Sequence, residues 1–272
     1  MLKTLEIIKP KVQNLQLELA DVDRGFLVKE IQGLSPVPAT LVSSGIANRD
    51  GAYYQTARRE TRNIVLTVEF LPDLDAGLSV KALRDQLARY LMPKTKSKLR
   101  FLDSEGPTLE IDVHIESFES GYFSSAPDAV ISMIAFDPDF HQVDVETFTQ
   151  QTTSTANTAP LQYDGSVETG VTFGLLANRN IDGFTIHLET ASGTFQTLDY
   201  VGEILSGDYI TIDSSERICT RIRGGEEISA LNGVSPYASW PVLEPGLNRV
   251  RVFVTGASMG WTMVYNNKFG SL

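Results

Sequence analysis

Cysteine is almost missing from this chain: of 272 residues, only Cys219 carries a thiol. An internal disulfide is excluded, and the fold owes nothing to an oxidising compartment. Histidine is scarce too, with His114, His141 and His187 the three in the sequence. None stands at metal-binding spacing from another His or from Cys219, so no zinc-type site is expected. Basic residues are in deficit, 23 Lys and Arg against 34 Asp and Glu, for a formal net charge of −11. A chain of that sign does not wrap nucleic acid, because phosphate binding needs clustered cations. Long apolar runs are lacking, and nothing approaches the roughly 18–20 residues that span a bilayer as a helix. The patch Leu5-Glu6-Ile7-Ile8 is too short and too polar for the core of a secretion signal. The expectation is a soluble protein folded in a cytoplasm.

Catalytic constellations are missing as well. Gly224-Gly225 falls between strand-like segments and reads as a turn, and no Gly-rich phosphate loop precedes a helix. Ser44-Gly45 lacks the strand–turn–helix context of a nucleophile elbow. Cys219 sits in an alternating strand and reads as a small buried apolar residue. Glu110, Asp112 and Glu116 alternate with Leu109, Ile111, Val113 and Ile115, with His114 on the polar side. Carboxylates two apart on one strand face lie about 7 Å apart on any solvated surface, so that spacing alone does not make a glycosidase pair. Asp137 and Asp139 flank Pro138 but are too few for a calcium cage. Lys94, Lys96, Lys98 and Arg100 read as a solvated basic turn. No catalytic, cofactor-binding or metal residue is assigned, no cofactor is expected, and the chain does not read as an enzyme.

What is present is β pattern. Leu15, Leu17 and Leu19 alternate with polar neighbours, as in a half-buried strand. Residues 26–31, 39–42 and 63–70 read as further strands, the last with Ile64, Leu66, Val68 and Phe70 on one face. Residues 43–56, with Gly45, Asn48, Asp50 and Gly51, read as turn and loop. Val80, Leu83 and Leu87 recur at helical spacing behind a capping Ser79, and Pro93 stops that helix. Strands follow at 98–103, 108–118 and 129–136. Residues 142–160 contain the polar, nearly uncharged run Gln150-Gln151-Thr152-Thr153-Ser154-Thr155 and read as a connector. Beyond it the pattern is all β, with short strands and Gly-rich turns that suggest a sandwich. The expected layout is an N-terminal domain over 1–141, a linker over 142–160 and a C-terminal sandwich over 161–272.

The order of segments carries a resemblance. Arg58, Arg59 and Arg62 precede the strand Ile64 to Phe70. The helix, Pro93 and a strand with Arg100-Phe101 follow. The domain then closes on Ala135-Phe136-Asp137-Pro138-Asp139-Phe140. The second half adds Gly207-Asp208-Tyr209-Ile210-Thr211-Ile212-Asp213, then Pro245-Gly246-Leu247-Asn248 before Val250, Val252 and Val254, and a closing strand from Trp261 to Tyr265. In this order the chain resembles the distal tail protein family of long-tailed, non-contractile phages. The resemblance covers nearly the whole chain, with 142–178 matching poorly.

The resemblance implies a mainly β fold: one helix and a split-barrel-like sheet in the N-terminal domain, then an all-β sandwich. It implies a virion structural protein of the tail tip, assembled in the host bacterial cytoplasm as a homo-hexamer. Its ring would join the tail tube protein to the tail hub or fibre protein, with the tape measure protein as a further contact. DNA would leave through the ring without specific binding, and no membrane is involved. Glu110, Asp112 and Glu116 are candidates for the channel lining. A competing class is a carbohydrate-binding or receptor-adhesion sandwich, with Tyr237, Trp240, Trp261 and Tyr265 as its stacking aromatics. Core packing explains Trp261, Met263 and Tyr265 more simply, since they share one strand face.

Overall fold

The computed structural model describes residues 2–9, 15–18, 25–45, 50–73, 75, 77–121 and 127–272. The chain forms two units, Met1–Val143 together with Gly270–Leu272, and Asp144–Phe269. Leu19 and residues 46–49, with Asn48 among them, lie outside the described residues.

The first unit holds β1 (Leu2–Ile8), β2 (Leu15–Glu18), β3 (Phe26–Gln32), β4 (Ala39–Gly45), β5 (Ala52–Arg59) and β6 (Arg62–Phe70). The helix α1 (Val80–Tyr90) follows, then β7 (Lys96–Asp103), β8 (Leu109–Ser120), β9 (Asp128–Ala135) and β10 (Phe140–Gln142). An antiparallel sheet runs β2-β1-β7-β8-β9-β6-β3. Strand β8 is long enough to serve several neighbours. Its first half pairs with β7 and β10, and its second half with β9. Glu116 is the extra residue of a bulge between Ile115 and Ser117, a device that bends a strand and lets a sheet curl. Strict alternation writes the core. Ile64, Leu66, Val68 and Phe70 of β6, Ile111 and Val113 of β8, and Ile131 and Met133 of β9 are all fully buried.

The helix α1 closes that core with Leu83 and Leu87, four residues apart on one face and followed by buried Leu91. Ser79 caps it, its hydroxyl accepting from the Ala82 N–H at 3.2 Å. No described helix is long and apolar enough to cross a membrane.

The second unit holds β11 (Glu146–Gln151), β12 (Ala159–Tyr163), β13 (Thr169–Gly170), β14 (Thr172–Leu176), β15 (Ile181–Glu189), β16 (Phe195–Ile204) and β17 (Tyr209–Asp213). It continues through β18 (Ile218–Arg223), β19 (Glu226–Ser229), β20 (Val242–Leu243), β21 (Gly246–Phe253), β22 (Gly260–Tyr265) and β23 (Lys268–Phe269). Two sheets, β11-β22-β14-β17-β18-β19 and β12-β21-β15-β16, enclose a single apolar core. Phe173 from one sheet meets Phe184 from the other at 5.6 Å between ring centroids. This is a β-sandwich.

Two segments differ from the sequence reading. Residues 142–160 are not a free connector: β11 pairs with β22 along its whole length, and β12 pairs with β21. Between them Thr152 is buried, and its hydroxyl accepts from the Met259 N–H at 3.0 Å. An uncharged Thr/Gln run suits an edge strand as well as a linker, and composition does not separate the two. Residues 43–56, read as loop, contribute instead to a hairpin, β4 against β5.

Candidate assembly interface

The hairpin β4–β5 forms a sheet of its own and, among the described residues, pairs with no other strand. Almost all of it is exposed, including Leu41 at 68%, Tyr53 at 55% and Tyr54 at 67%. Leu41 stands opposite Ala57, an apolar cross-strand pair, and the two tyrosines stand opposite Ser43 and Ser44. A two-stranded hairpin is marginal in water by itself. One that also displays leucine, valine and two tyrosines has the composition of a surface awaiting a cover.

The root of the hairpin is fixed by charge. Arg59 holds Asp139 with both guanidinium nitrogens, Nη2 at 2.7 Å from Oδ2. Asp139 itself is nearly buried. Three residues on, Arg62 begins the inward-facing row of β6 and is 1% exposed. It donates to the carbonyls of Pro138 at 2.6 Å, Gly33 at 2.5 Å, Ser35 at 2.7 Å and Gly270 at 2.7 Å. Its guanidinium lies 4.4 Å from the centroid of the Phe140 ring. Burial pulls the Arg62 pKa below its ordinary value, with the Asp139 carboxylate opposing the fall and Arg59 adding to it; the cost of desolvating a cation held by carbonyl dipoles and one ring outweighs the nearby carboxylate. Thus the Arg58-Arg59…Arg62 stretch and the Asp137-Pro138-Asp139-Phe140 stretch, far apart in sequence, form one anchor.

The carboxylates of β8 sit beside cations of β7. Glu110 is held by Lys98 and, at 3.2 Å, by Arg100, which also reaches Glu6 of β1 at 3.3 Å. Asp112 pairs with Lys96 at 2.8 Å. Glu116 accepts from the Ser132 hydroxyl at 2.8 Å. Lys96, Lys98 and Arg100 therefore do not form a basic turn. They are the outward row of β7, in register with the acidic row of β8. Sequence reading saw both rows but not their pairing, because the strand partners of a sheet are not written locally.

The remaining residues singled out in the sequence are dispersed. His114 contacts the Phe136 ring edge-on at 5.2 Å, and His141 bonds Asp137 at 3.0 Å. With Asp139 committed to Arg59, the Asp-Pro-Asp turn offers no cation cage, and the described residues contain no metal-binding group of His, Cys, Asp and Glu. Cys219 is buried in the sandwich core, where desolvation pushes its thiol up to about 11. The aromatics proposed for glycan stacking do not gather. Trp261 is 2% exposed and Tyr265 9% exposed, both facing the core, and Trp240 packs against that core. Tyr237 alone stands free, at 93% exposure.

No family model matches the chain, and no curated protein matches it. Among solved structures, it is similar to the Dit protein of phage SPP1, described as a paradigm of the hub adsorption apparatus of phages infecting Gram-positive bacteria. The identity is 18%, the TM-score is 0.70, and the match covers 98% of this chain and 100% of that one. The baseplate of phage P2 in its activated conformation with calcium also matches, at 11% identity and a TM-score of 0.49, over 100% of both chains. The same baseplate with strontium matches at 10% identity and 0.42, over 96% of this chain and 97% of that one. The first likeness establishes the fold: this chain has the fold of the SPP1 protein. The weaker two add nothing to that.

Proposed function

We propose that this chain is a structural component of a phage tail tip, a distal tail protein that assembles as a hexameric ring. The ring joins the end of the tail tube to the tail hub or fibre protein and leaves an axial path for the tape measure protein and for DNA. The observation that carries this reading is the hairpin β4–β5, an exposed arm that displays Leu41, Val42, Tyr53 and Tyr54 and is rooted through Arg59 and Asp139. A second copy of the chain is the cover that closed cyclic assembly would supply, and it would leave no arm unsatisfied. The order of sequence motifs and the shared fold with the SPP1 hub protein support the same conclusion.

The β7–β8 face, with Glu110, Asp112 and Glu116, is our candidate for the channel lining. Its physical merit is that each cation is already committed. Lys96, Lys98 and Arg100 face carboxylates, so among the described residues the cations of β7 are already paired and less available to hold a passing phosphate.

Sedimentation velocity on the wild type and on the double variant Leu41→Asp, Tyr54→Asp tests the assembly. Burying each of these side chains in an interface stabilises it by about 1.5–3 kcal/mol, and ring closure repeats the loss at every joint. The wild type should sediment as a closed oligomer, alone or with the tail tube protein. The variant should sediment as a folded monomer. An unchanged oligomer in the variant would exclude the hairpin as the joint. A wild-type monomer under both conditions would overturn the ring.

A further inference from the structure

The second unit carries a cleft apart from the hairpin on which the ring is proposed. It lies on the outer side of β12-β21-β15-β16, has a volume of about 640 Å³, and is lined in part by Asp182, Gly183, Thr185, Asp199, Ser235 and Phe253. That volume is in the range of small-molecule sites. A bulge between Ile181 and Gly183 opens one end. Gly183 has φ +146°, and a Cβ there would lie 2.2 Å from the Tyr200 carbonyl oxygen, so only glycine lets the two backbones approach this closely.

The floor of the cleft is one rung of the sheet, in which Thr185 stands between Asp199 and Phe253. Its hydroxyl donates to Asp199 Oδ1 at 2.7 Å. The next rung on the same face is Thr197–His187–Arg251, and the third is Phe195–Glu189–Arg249. His187 Nδ1 is 3.4 Å from the Thr197 hydroxyl. Arg251 gives one nitrogen to the Thr155 carbonyl at 3.1 Å, while its buried Nε has no partner among the described residues. Phe195 is 77% exposed at the far end. Rungs on one face repeat every two residues, so the three span roughly 14 Å.

We propose that this cleft and the two rungs beside it bind a neutral oligosaccharide, with the terminal sugar in the cleft. The chemistry selects that class. A pyranose offers hydroxyls that both donate and accept, and an apolar C–H face. Here carboxylates accept, as does Thr185, whose one proton goes to Asp199, while Arg251 donates and Thr197 and Ser235 can do either. The rings of Phe253 and Phe195 provide apolar faces at the two ends. Burial and the neighbouring Arg251 hold the His187 pKa below its ordinary value, so at neutral pH the imidazole has one donor and one acceptor. Asp182 and Asp199 in the cleft lining disfavour phosphate and other anions there, Arg249 of the third rung is paired with Glu189, and an apolar ligand would strand these polar groups. The aromatics that matter are therefore Phe253 and Phe195, not the core residues Trp261 and Tyr265. The site lies wholly within the second unit and does not depend on ring formation.

The test is a glycan array of neutral mono- to tetrasaccharides probed with the full chain, followed by calorimetric titration of the tightest hit. Binding should strengthen from mono- to trisaccharide. Asp199→Ala and Phe253→Ala should each weaken it by about tenfold or more, and Phe195→Ala by a few fold for the longer ligands only. Phe195 is exposed enough that its loss cannot unfold the sandwich, which keeps the test meaningful if a cleft variant fails to fold. No neutral glycan bound at millimolar concentration would overturn the proposal. So would binding that survives in Asp199→Ala. Equal affinity for mono- and trisaccharide, with Phe195→Ala silent, would overturn the extension along the rungs.

Discussion

Arg62 is the side chain whose loss the first unit should feel most. It is 1% exposed and donates four hydrogen bonds, all to main-chain carbonyls. Arg62→Met keeps length and apolar contact with the Phe140 ring but removes every donor. At about 1 kcal/mol net per bond the loss is roughly 4 kcal/mol. Some is returned, because the buried cation no longer has to be desolvated, the same cost that depresses its pKa. A net destabilisation of about 3 kcal/mol is expected, or about 10 °C at the roughly 3 °C per kcal/mol of a domain this size. Arg62→Lys, which can reach only some of the carbonyls, should fall between. Both tryptophans, Trp240 and Trp261, lie in Asp144–Phe269, so tryptophan fluorescence follows the second unit alone, whereas calorimetry reads both. The calorimetric transition of the first unit should drop while the fluorescence midpoint stays. A calorimetric shift below about 1 kcal/mol would refute the reasoning, and equal shifts in both signals would refute its locality.

Asp208 is buried, bonded by Arg223 at 2.6 Å and by the Leu205 N–H at 2.8 Å, and the Arg223 bond holds its pKa below the ordinary 3.8. Its stabilisation is therefore fully present above that value and drains as the pH falls through the lower folded pKa. The urea midpoint of tryptophan fluorescence should fall on acidification below about pH 4, less so in Asp208→Asn; parallel curves would contradict this. The Cys219 thiol, buried and pushed up to about 11, should ignore Ellman's reagent at neutral pH until urea unfolds the sandwich, whereas rapid native labelling would show that it is accessible. Glu110→Lys, Asp112→Lys, Glu116→Lys should convert the compensated face of β7 and β8 into a basic one. In a mobility shift at moderate salt the wild type should leave duplex DNA free and the variant should retard it, more weakly as salt rises. Retardation by the wild type would contradict the claim that its cations are committed.

The strands with strict alternation were legible in the sequence. Ile64 to Phe70, Leu109 to Ile115 and Val250 to Val254 place their apolar residues inward as their spacing says. So was the helix, where capping Ser79, Leu83, Leu87 and Pro93 agree. The hairpin was half missed. Gly45 ends β4, and Asp50 and Gly51 precede β5, but exposed strands lack the buried face from which alternation is read. Residues 142–160 failed for the same reason, since an edge strand of threonines and glutamines has no apolar period. The charge ladder and the Arg62 anchor were invisible because each joins segments that only the folded topology brings together. The glycan reading chose tryptophan and tyrosine by residue type. The proposed glycan surface instead has Phe253 in the cleft and Phe195 two rungs beyond it, positions that follow from the register of β15, β16 and β21.

The central claim is the ring, and its most direct test is electron microscopy of the purified chain in negative stain. Two-dimensional averages without imposed symmetry should show closed particles with six equivalent lobes around a central opening, formed by the chain alone or after addition of the tail tube protein. The Leu41→Asp, Tyr54→Asp variant should give only single lobes. Averages that show isolated monomers in both wild-type samples, or a closed particle of another symmetry, would contradict the account.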